Sequence, residues 1–197
     1  MKNKLFKTVS VCALLLSSSL LAQDYKFIAG GSLGYTSLNV EQTDKVGSMI
    51  LGSTLENTGY NAELRVGVKY RDYLQLTVNY QSVAMDDTNE NNVYLGIDYL
   101  FANYKKMTPY IGGNLGSSTL TWSKNPINTK DNDSTSGTLL LGARLGVLYP
   151  LTDDFDLSLE YMYNYAKHTT QLESGSAKTE LVHSSANNLN LGVRYTF

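Results

Sequence analysis

From Tyr60 to Tyr70 every second residue, Tyr60, Ala62, Leu64, Val66, Val68 and Tyr70, has an apolar or aromatic side chain, and Asn61, Glu63, Arg65, Gly67 and Lys69 sit between them. A period of two puts the two sets on opposite faces of a strand, and no helical period fits it. The alternation returns along the chain. Leu74, Leu76, Val78 and Tyr80 form one such set, and Val93, Leu95, Ile97, Tyr99 and Phe101 another. Leu139 to Tyr149, Phe155 to Tyr165 and Leu189 to Phe197 repeat it at odd positions. Two further segments are less regular. Tyr25 to Val40 carries Phe27, Ala29, Leu33 and Tyr35 on one face. In Thr108 to Trp122 the parity of Ile111 and Leu115 differs from that of Tyr110 and Trp122, which predicts a bulge.

These segments make eight strands, and the connections between them alternate in length. Arg71-Asp72, Ala102 to Met107 and Pro150 to Asp154 are short. Glu41 to Gly59, Met85 to Asn91, Ser123 to Ser136 and Thr169 to Ser185 are longer and more polar. An even number of antiparallel strands with short turns on one side and long loops on the other is the pattern of a transmembrane β-barrel. The aromatic residues agree with it. Tyr25, Phe27, Tyr70, Tyr73, Tyr99, Phe101, Tyr110, Tyr149, Phe155, Tyr195 and Phe197 fall beside the short turns, where an interfacial girdle on the periplasmic side is expected. Tyr35, Tyr60, Tyr80, Trp122, Tyr163 and Tyr165 predict a looser second girdle toward the loops.

The start of the chain fits export. Lys2, Lys4 and Lys7 precede a short apolar run from Val9 to Leu16, with Leu20 and Leu21, and small Ala22 stands before Gln23 and Asp24. This reads as a secretory signal peptide over residues 1–22, with the barrel domain over 23–197. Cys12, the one cysteine, would leave with it, so disulfides and cysteine-ligated metals are not expected. The chain carries a net charge of −2, and loss of the three lysines makes the remainder more acidic, which argues against nucleic acid as a partner. Two histidines and scattered acids give no ligand spacing for zinc. Asp86 to Glu90 and Asp131 to Ser134 lack the register of a calcium loop and read as solvated turns. No metal or cofactor is expected.

The closing strand Leu189 to Phe197 and the stretch Pro109-Tyr110-Ile111-Gly112-Gly113 make the chain resemble the small eight-stranded outer-membrane β-barrel proteins, the group of OmpX and the OmpA transmembrane domain. The resemblance implies an all-β, up-and-down antiparallel transmembrane barrel in the bacterial outer membrane. It also implies contact with outer-membrane lipid and lipopolysaccharide, and recognition of the C-terminal strand by the barrel-assembly machinery.

Inward positions carry Glu63, Arg65, Lys69, Asp98, Arg144, Glu160 and Arg194. A barrel of eight strands is just wide enough for side chains to fill it, so these charges must pair or keep water. They read as a polar plug; the competing reading is a salt-bridge gate across a narrow pore. An enzymatic alternative, acyl modification of lipid A, rests on His168 and on His183-Ser184-Ser185, whose His-x-Ser spacing resembles that of the lipid A 3-O-deacylases. Their Asn after the serine is Ala186 here, and only Glu173 or Glu180 offer an orienting carboxylate. The first loop, with Val46, Met49, Ile50, Leu51 and Leu55, is too apolar for a plain solvated loop and reads as a binding surface or a cover for the mouth. The expectation is a non-enzymatic barrel with a structural or adhesin-like role and a surface or host ligand at its loops. The alternative is a narrow porin-like channel or a conduit for small hydrophobic solutes.

Overall fold

The computed structural model describes residues 24–46, 49–86, 88–101, 106–122, 135–174 and 177–197. The expected signal peptide and the loop between Ser123 and Ser134 lie outside the described residues, as do the side chains of Val46, Met49, Ile50, Leu51, Leu55, Trp122, Leu172, Glu173, Glu180 and Leu181. Eight strands follow in order: β1 (Tyr25–Val46), β2 (Met49–Tyr70), β3 (Leu74–Met85), β4 (Thr88–Leu100), β5 (Thr108–Trp122), β6 (Thr135–Pro150), β7 (Phe155–Ser174) and β8 (Ala177–Thr196). Each pairs with its neighbours in sequence, and β1 pairs with β8, from Ile28↔Thr196 onward, to close the barrel. Closure leaves no sheet edge at membrane depth, where an unpaired backbone amide has no water to bond.

The dyad repeats put their apolar members outside. Leu33, Leu64, Leu95, Leu115, Leu145 and Leu191 are all exposed, as are Tyr35, Val66, Val93, Ile97, Ile111, Leu141, Leu189 and Val193 on the same faces. Such a surface would aggregate in water and is stable in hydrocarbon. Its height follows from the strands. Tyr60 and Tyr70 mark the two ends of the band on β2, and ten residues at about 3.4 Å each, tilted by roughly 40°, give a band of about 26 Å. That is the height of an outer-membrane apolar belt.

At the turn end the aromatics touch one another in sequence around the rim: Tyr25 with Tyr70, Tyr70 with Tyr73, Tyr73 with Tyr99 and Tyr99 with Phe101, at centroid separations of 4.9 to 6.3 Å. Phe155, Tyr195 and Phe197 form a second run at 4.7 Å. Tyr149 is outward as well. Tyr110 is not part of this belt: its side chain turns inward and is 2 % exposed. The expected bulge in β5 is also absent. β5 pairs without a register break on both sides from Thr108 to Thr121, so Tyr110 simply has lumen parity, like Asn114 and Ser118. The register breaks lie instead around Ser184: against β1 the extra residue is Ser184 on β8, and against β8 the strand β7 carries one extra residue at Ala166 and Lys167.

The turn between β2 and β3 explains why the sequence reverses there. Arg71 and Asp72 have φ of 47° and 61°, and the Tyr73 amide donates to the Tyr70 carbonyl at 3.3 Å. Positive φ at both central residues is the hairpin turn whose twist matches that of the strands. Asp72 accepts from Lys69 at 2.9 Å and lies 3.6 Å from Lys26.

The outer end departs from the expected loops. Glu41 to Val46 and Met49 to Gly59 are strand, since β1 and β2 pair continuously from Tyr25↔Tyr70 to Val46↔Met49. Thr169 to Ser174 and Ala177 to Ser185 are likewise strand, the hairpin extension of the last two strands that Leu172, Leu181 and Val182 suggest in the sequence, with β7 and β8 paired out to Ser174↔Ala177. β1, β2, β7 and β8 run 20 to 22 residues, against 12 to 16 for β3 to β6.

Candidate functional site

The lumen is packed in layers. Nearest the turns, Leu100, Tyr110 and Leu148 cluster under Arg194, whose guanidinium donates through Nη1 to Gln75 Oε1 and lies 5.5 Å from the Tyr110 ring centroid. Above them Arg144 grips Asp98 with two parallel bonds, Nε to Oδ1 at 2.6 Å and Nη2 to Oδ2 at 2.9 Å, and Nη2 also donates to Thr77 Oγ1 at 3.0 Å. Beside this pair Arg65 bridges two carboxylates. Its Nε and Nη2 donate to Glu63 Oε1 at 2.9 and 2.5 Å, and Nη2 donates to Glu160 Oε1 and Oε2 at 2.9 and 3.2 Å. Tyrosines give each acid a further donor: Tyr94 Oη donates to Glu63 Oε2 and Tyr110 Oη to Glu160 Oε2, each at 2.7 Å. Three acids thus meet two arginines, Arg65 and Arg144, all buried, while Arg194 bonds Gln75. A buried charge this well hydrogen-bonded avoids the cost of an unpaired one.

Glycines make the room. A Cβ on Gly96 would collide with the Arg144 guanidinium and Thr77, one on Gly112 with the Asp98 carboxylate, and one on Gly146 with the Tyr110 ring. Inward positions on neighbouring strands thus alternate absent and large side chains, which lets a narrow barrel hold guanidiniums.

Toward the outside an amide layer follows. Thr36 donates to Asn188 Oδ1 at 2.7 Å, Asn61 to Thr36 at 2.9 Å, and Asn92 to Gln81 at 3.1 Å. The outer mouth is closed by Leu38, Val40, Val83, Met85, Leu120 and Ala186 on one side. Facing them are Glu90, Ser118, His168 and His183, each no more than 3 % exposed. Ser118 Oγ lies 2.8 Å from His168 Nε2 and donates to Glu90 Oε1 at 3.0 Å.

The predicted residues sort accordingly. Glu63, Arg65 and Glu160 form one group, Asp98 and Arg144 a second, and Arg194 joins Gln75 and Tyr110. Lys69 stays outside these groups, at the turn-end rim with Asp72. There the hydrogen bond from Lys69, reinforced by Lys26, holds the Asp72 carboxyl below its ordinary range although partial burial opposes this. His168 bonds Ser118, while Ser185 accepts from Asn39 at 3.1 Å. Glu90 corrects the reading of Asp86 to Glu90 as a solvated turn, since the last of these acids points into the lumen. Tyr94, Tyr110 and Ser118 were legible only by parity, as inward positions opposite charged ones. Among the described residues no three histidines, cysteines or acids stand where they could hold a metal ion.

Comparison with known proteins agrees with a closed eight-stranded barrel that has a lipid-facing apolar band and a packed polar lumen. The sequence matches the outer membrane protein beta-barrel domain over residues 8–197. The chain belongs to that family. It is therefore a protein of the bacterial outer membrane. No curated protein matches it in sequence. Among solved structures it is similar to Neisserial surface protein A, at 20 % identity with a TM-score of 0.60, covering 87 % of this chain and 97 % of that one. It is also similar to OprG from Pseudomonas aeruginosa, at 13 % identity and a TM-score of 0.56 over 87 % and 96 % of the two chains. AlkL, solved in lipid bilayers, gives 12 % and 0.51 over 88 % and 90 %. At these identities the likeness is one of fold, and the fold hosts many activities.

Proposed function

We propose that this outer-membrane barrel is a closed, non-enzymatic scaffold whose task is to carry a surface-interaction sheet. The observation that carries this reading is the outer extension of β7, β8, β1 and β2. Their ladders run on past the barrel's other strands. β2 loses β3 beyond Gly59↔Met85, and β7 loses β6 beyond Leu141↔Tyr165. Among the described residues the result is a four-stranded sheet with an open edge on each side, standing out from the membrane. An open edge offers unpaired amides and carbonyls to an extended partner segment, a liability in a protein without a partner. The filled lumen supports the same reading, because a lumen packed with paired charges leaves the outer surface as the place to act. The partner is a surface or host protein, or lipopolysaccharide beside the sheet; the barrel-assembly machinery is the partner during insertion.

The test shortens both hairpins, deleting residues 43–52 and 172–179 across their paired tips, and compares binding of whole cells to host extracellular matrix and to purified lipopolysaccharide. Loss of binding with the barrel still inserted supports the reading, and unchanged binding overturns it. The conduit reading has one observation in its favour, the parting of β6 and β7 above Leu141↔Tyr165. Single-channel recordings and uptake of a small apolar solute by vesicles would carry that reading if either were positive.

A further inference from the structure

The rim at the turn end is charged unevenly. Its β1-to-β3 arc carries Lys26, Lys69 and Arg71 with Asp24 and Asp72, and the turn between β6 and β7, across the barrel, carries exposed Asp153 and Asp154. The five residues of the first arc line one hollow of about 320 Å³. The ladder sets Lys26 directly opposite Lys69, and like charges so placed destabilise a sheet. Asp72 in the turn draws both ammonium groups toward the rim, Lys69 at 2.9 Å and Lys26 at 3.6 Å. Arg71 reaches Asp24 at 3.3 Å, and its guanidinium lies 5.2 Å from the centroid of the Tyr70 ring.

Tyr70 fixes the depth of this hollow. It touches Tyr25 and Tyr73 in the aromatic belt, and such belts lie at the level of lipid headgroups. A guanidinium stacked on the belt therefore stands where headgroup phosphates are. We propose that Arg71 and Lys26 bind the phosphodiester of an anionic phospholipid, of the phosphatidylglycerol class, in the leaflet at the turn end. Both are free to turn to it. The contact of Arg71 with Asp24 is single and exposed, so it is worth little, whereas a phosphate takes two parallel bonds from a guanidinium. Lys26 has the looser of the two contacts with Asp72, and Lys69 keeps that acid engaged when Lys26 leaves.

The charge count selects the headgroup. Three cations meet two acids in the hollow, which leaves one positive charge to balance. A phosphodiester whose headgroup carries only hydroxyls supplies that balance. A zwitterionic headgroup brings its own ammonium, a further cation beside two acids that already have partners. The arc of Asp153 and Asp154 repels the same phosphate, so the preference is local to one side of the rim. The site lies at the opposite end from the outer sheet and does not depend on what that sheet binds.

The test is NMR of the full chain in phosphatidylcholine nanodiscs in which phosphatidylglycerol replaces a rising share of the lipid. The Arg71 Nε–H signal and the amides of residues 24–26 and 69–73 should shift and saturate early, with phosphatidylglycerol enriched on the order of fivefold over the bulk lipid at low salt. Amides of residues 152–155 should only drift in proportion to its content. At about 1 M salt the saturable shift should fade. Arg71→Gln should abolish it at residues 24–26, and Lys26→Gln should weaken it. Lys106→Gln removes the same charge from the exposed turn before β5, outside the hollow, and should leave it intact. Proportional drift on both arcs in the wild type overturns the proposal. So does an equal loss in Lys106→Gln, which would make net charge the cause. Phosphatidylethanolamine that saturates the same signals at the same content overturns the headgroup class. Inorganic phosphate that does so in pure phosphatidylcholine overturns the lipid as the source. If Arg71→Gln does not insert, judged by β-sheet circular dichroism, Lys26→Gln against Lys106→Gln decides.

Discussion

Replacing Arg65 by Met tests whether the lumen is held together as described. Arg65 makes four contacts of 2.5 to 3.2 Å to two carboxylates, and both acids are buried. Without the guanidinium each acid keeps one tyrosine hydroxyl, Tyr94 on Glu63 and Tyr110 on Glu160, at 2.7 Å. One neutral donor per carboxylate replaces a shared cation. Removing one partner of a buried ion pair costs about 3–5 kcal/mol, and here two acids lose the same partner, so the loss should sit near 5 kcal/mol. Replacing all three residues, Glu63→Gln, Arg65→Met and Glu160→Gln, removes the charges together with their desolvation cost. That triple variant should lie within about 2 kcal/mol of the wild type. The assay is urea unfolding of the protein folded in lipid vesicles, followed by circular dichroism. A loss below about 1 kcal/mol for Arg65→Met would mean that the charges are solvated and the plug is not packed. A triple variant less stable than the single one would refute the pairing argument itself.

Three other measurements bear on the same lumen and its rim. Gly96→Ala and Gly112→Ala drive a methyl into the Arg144–Asp98 pair and should each cost about 1–3 kcal/mol in the same assay, whereas Gly113→Ala, whose nearest neighbour would be at 3.7 Å, should cost far less. Tyr110→Phe deletes a donor to a buried carboxylate and should cost about 1.5–3 kcal/mol, while outward Tyr99→Phe should be near neutral. Asp72, whose carboxyl Lys69 and Lys26 hold below its ordinary range, contributes stability that is present above the ordinary aspartate range and is lost as pH falls through the lowered value. Unfolding midpoints of wild type and Asp72→Asn should therefore differ at neutral pH and converge in acid; a difference independent of pH would remove that contribution.

Outward positions were legible because lipid imposes a simple rule on them. Leu64, Leu95 and Leu191 face hydrocarbon, so each had to be apolar, and their alternation gave strands, parity and the closed architecture at once. Inward positions obey no such rule. Parity placed Glu63, Arg65, Asp98, Arg144, Glu160 and Arg194 in one lumen, but which acid meets which arginine depends on the stagger of the strands around the barrel, and a single sequence does not state it. The glycines that admit Arg144 and Asp98 are silent for the same reason: Gly96 and Gly112 matter for what a neighbouring strand places against them. Tyr110 shows the limit from the other side. Its place in sequence beside a short turn fits an interfacial tyrosine, and only its parity with Asn114 and Ser118 separates it from the belt.

The strand extensions, of which the sequence suggested only that of β7 and β8, have a related cause. Alternation is visible in a strand when its two faces meet different solvents. Between the tyrosine belts those solvents are lipid and a packed lumen, and the contrast is large. Beyond Tyr35, Tyr60 and Tyr165 lipid no longer bathes the outward face, so nothing forces an apolar residue there, and 41–59 and 169–185 lose their period of two. Their pairing is inherited instead. Once Tyr35↔Tyr60 and Tyr35↔Leu189 set the register, the ladders of β1 with β2 and β8 continue outward, the first without a break and the second past a one-residue shift at Ser184, each adding its bonds to a template already in place. β6 and β7 cannot continue in this way, because the bulge around Ala166 and Lys167 turns β7 out of step just where the ladder with β6 ends. That one irregularity creates an open edge for the outer sheet. It also leaves the side chain of His168, in place of a backbone ladder, to tie β7 to the other half of the barrel.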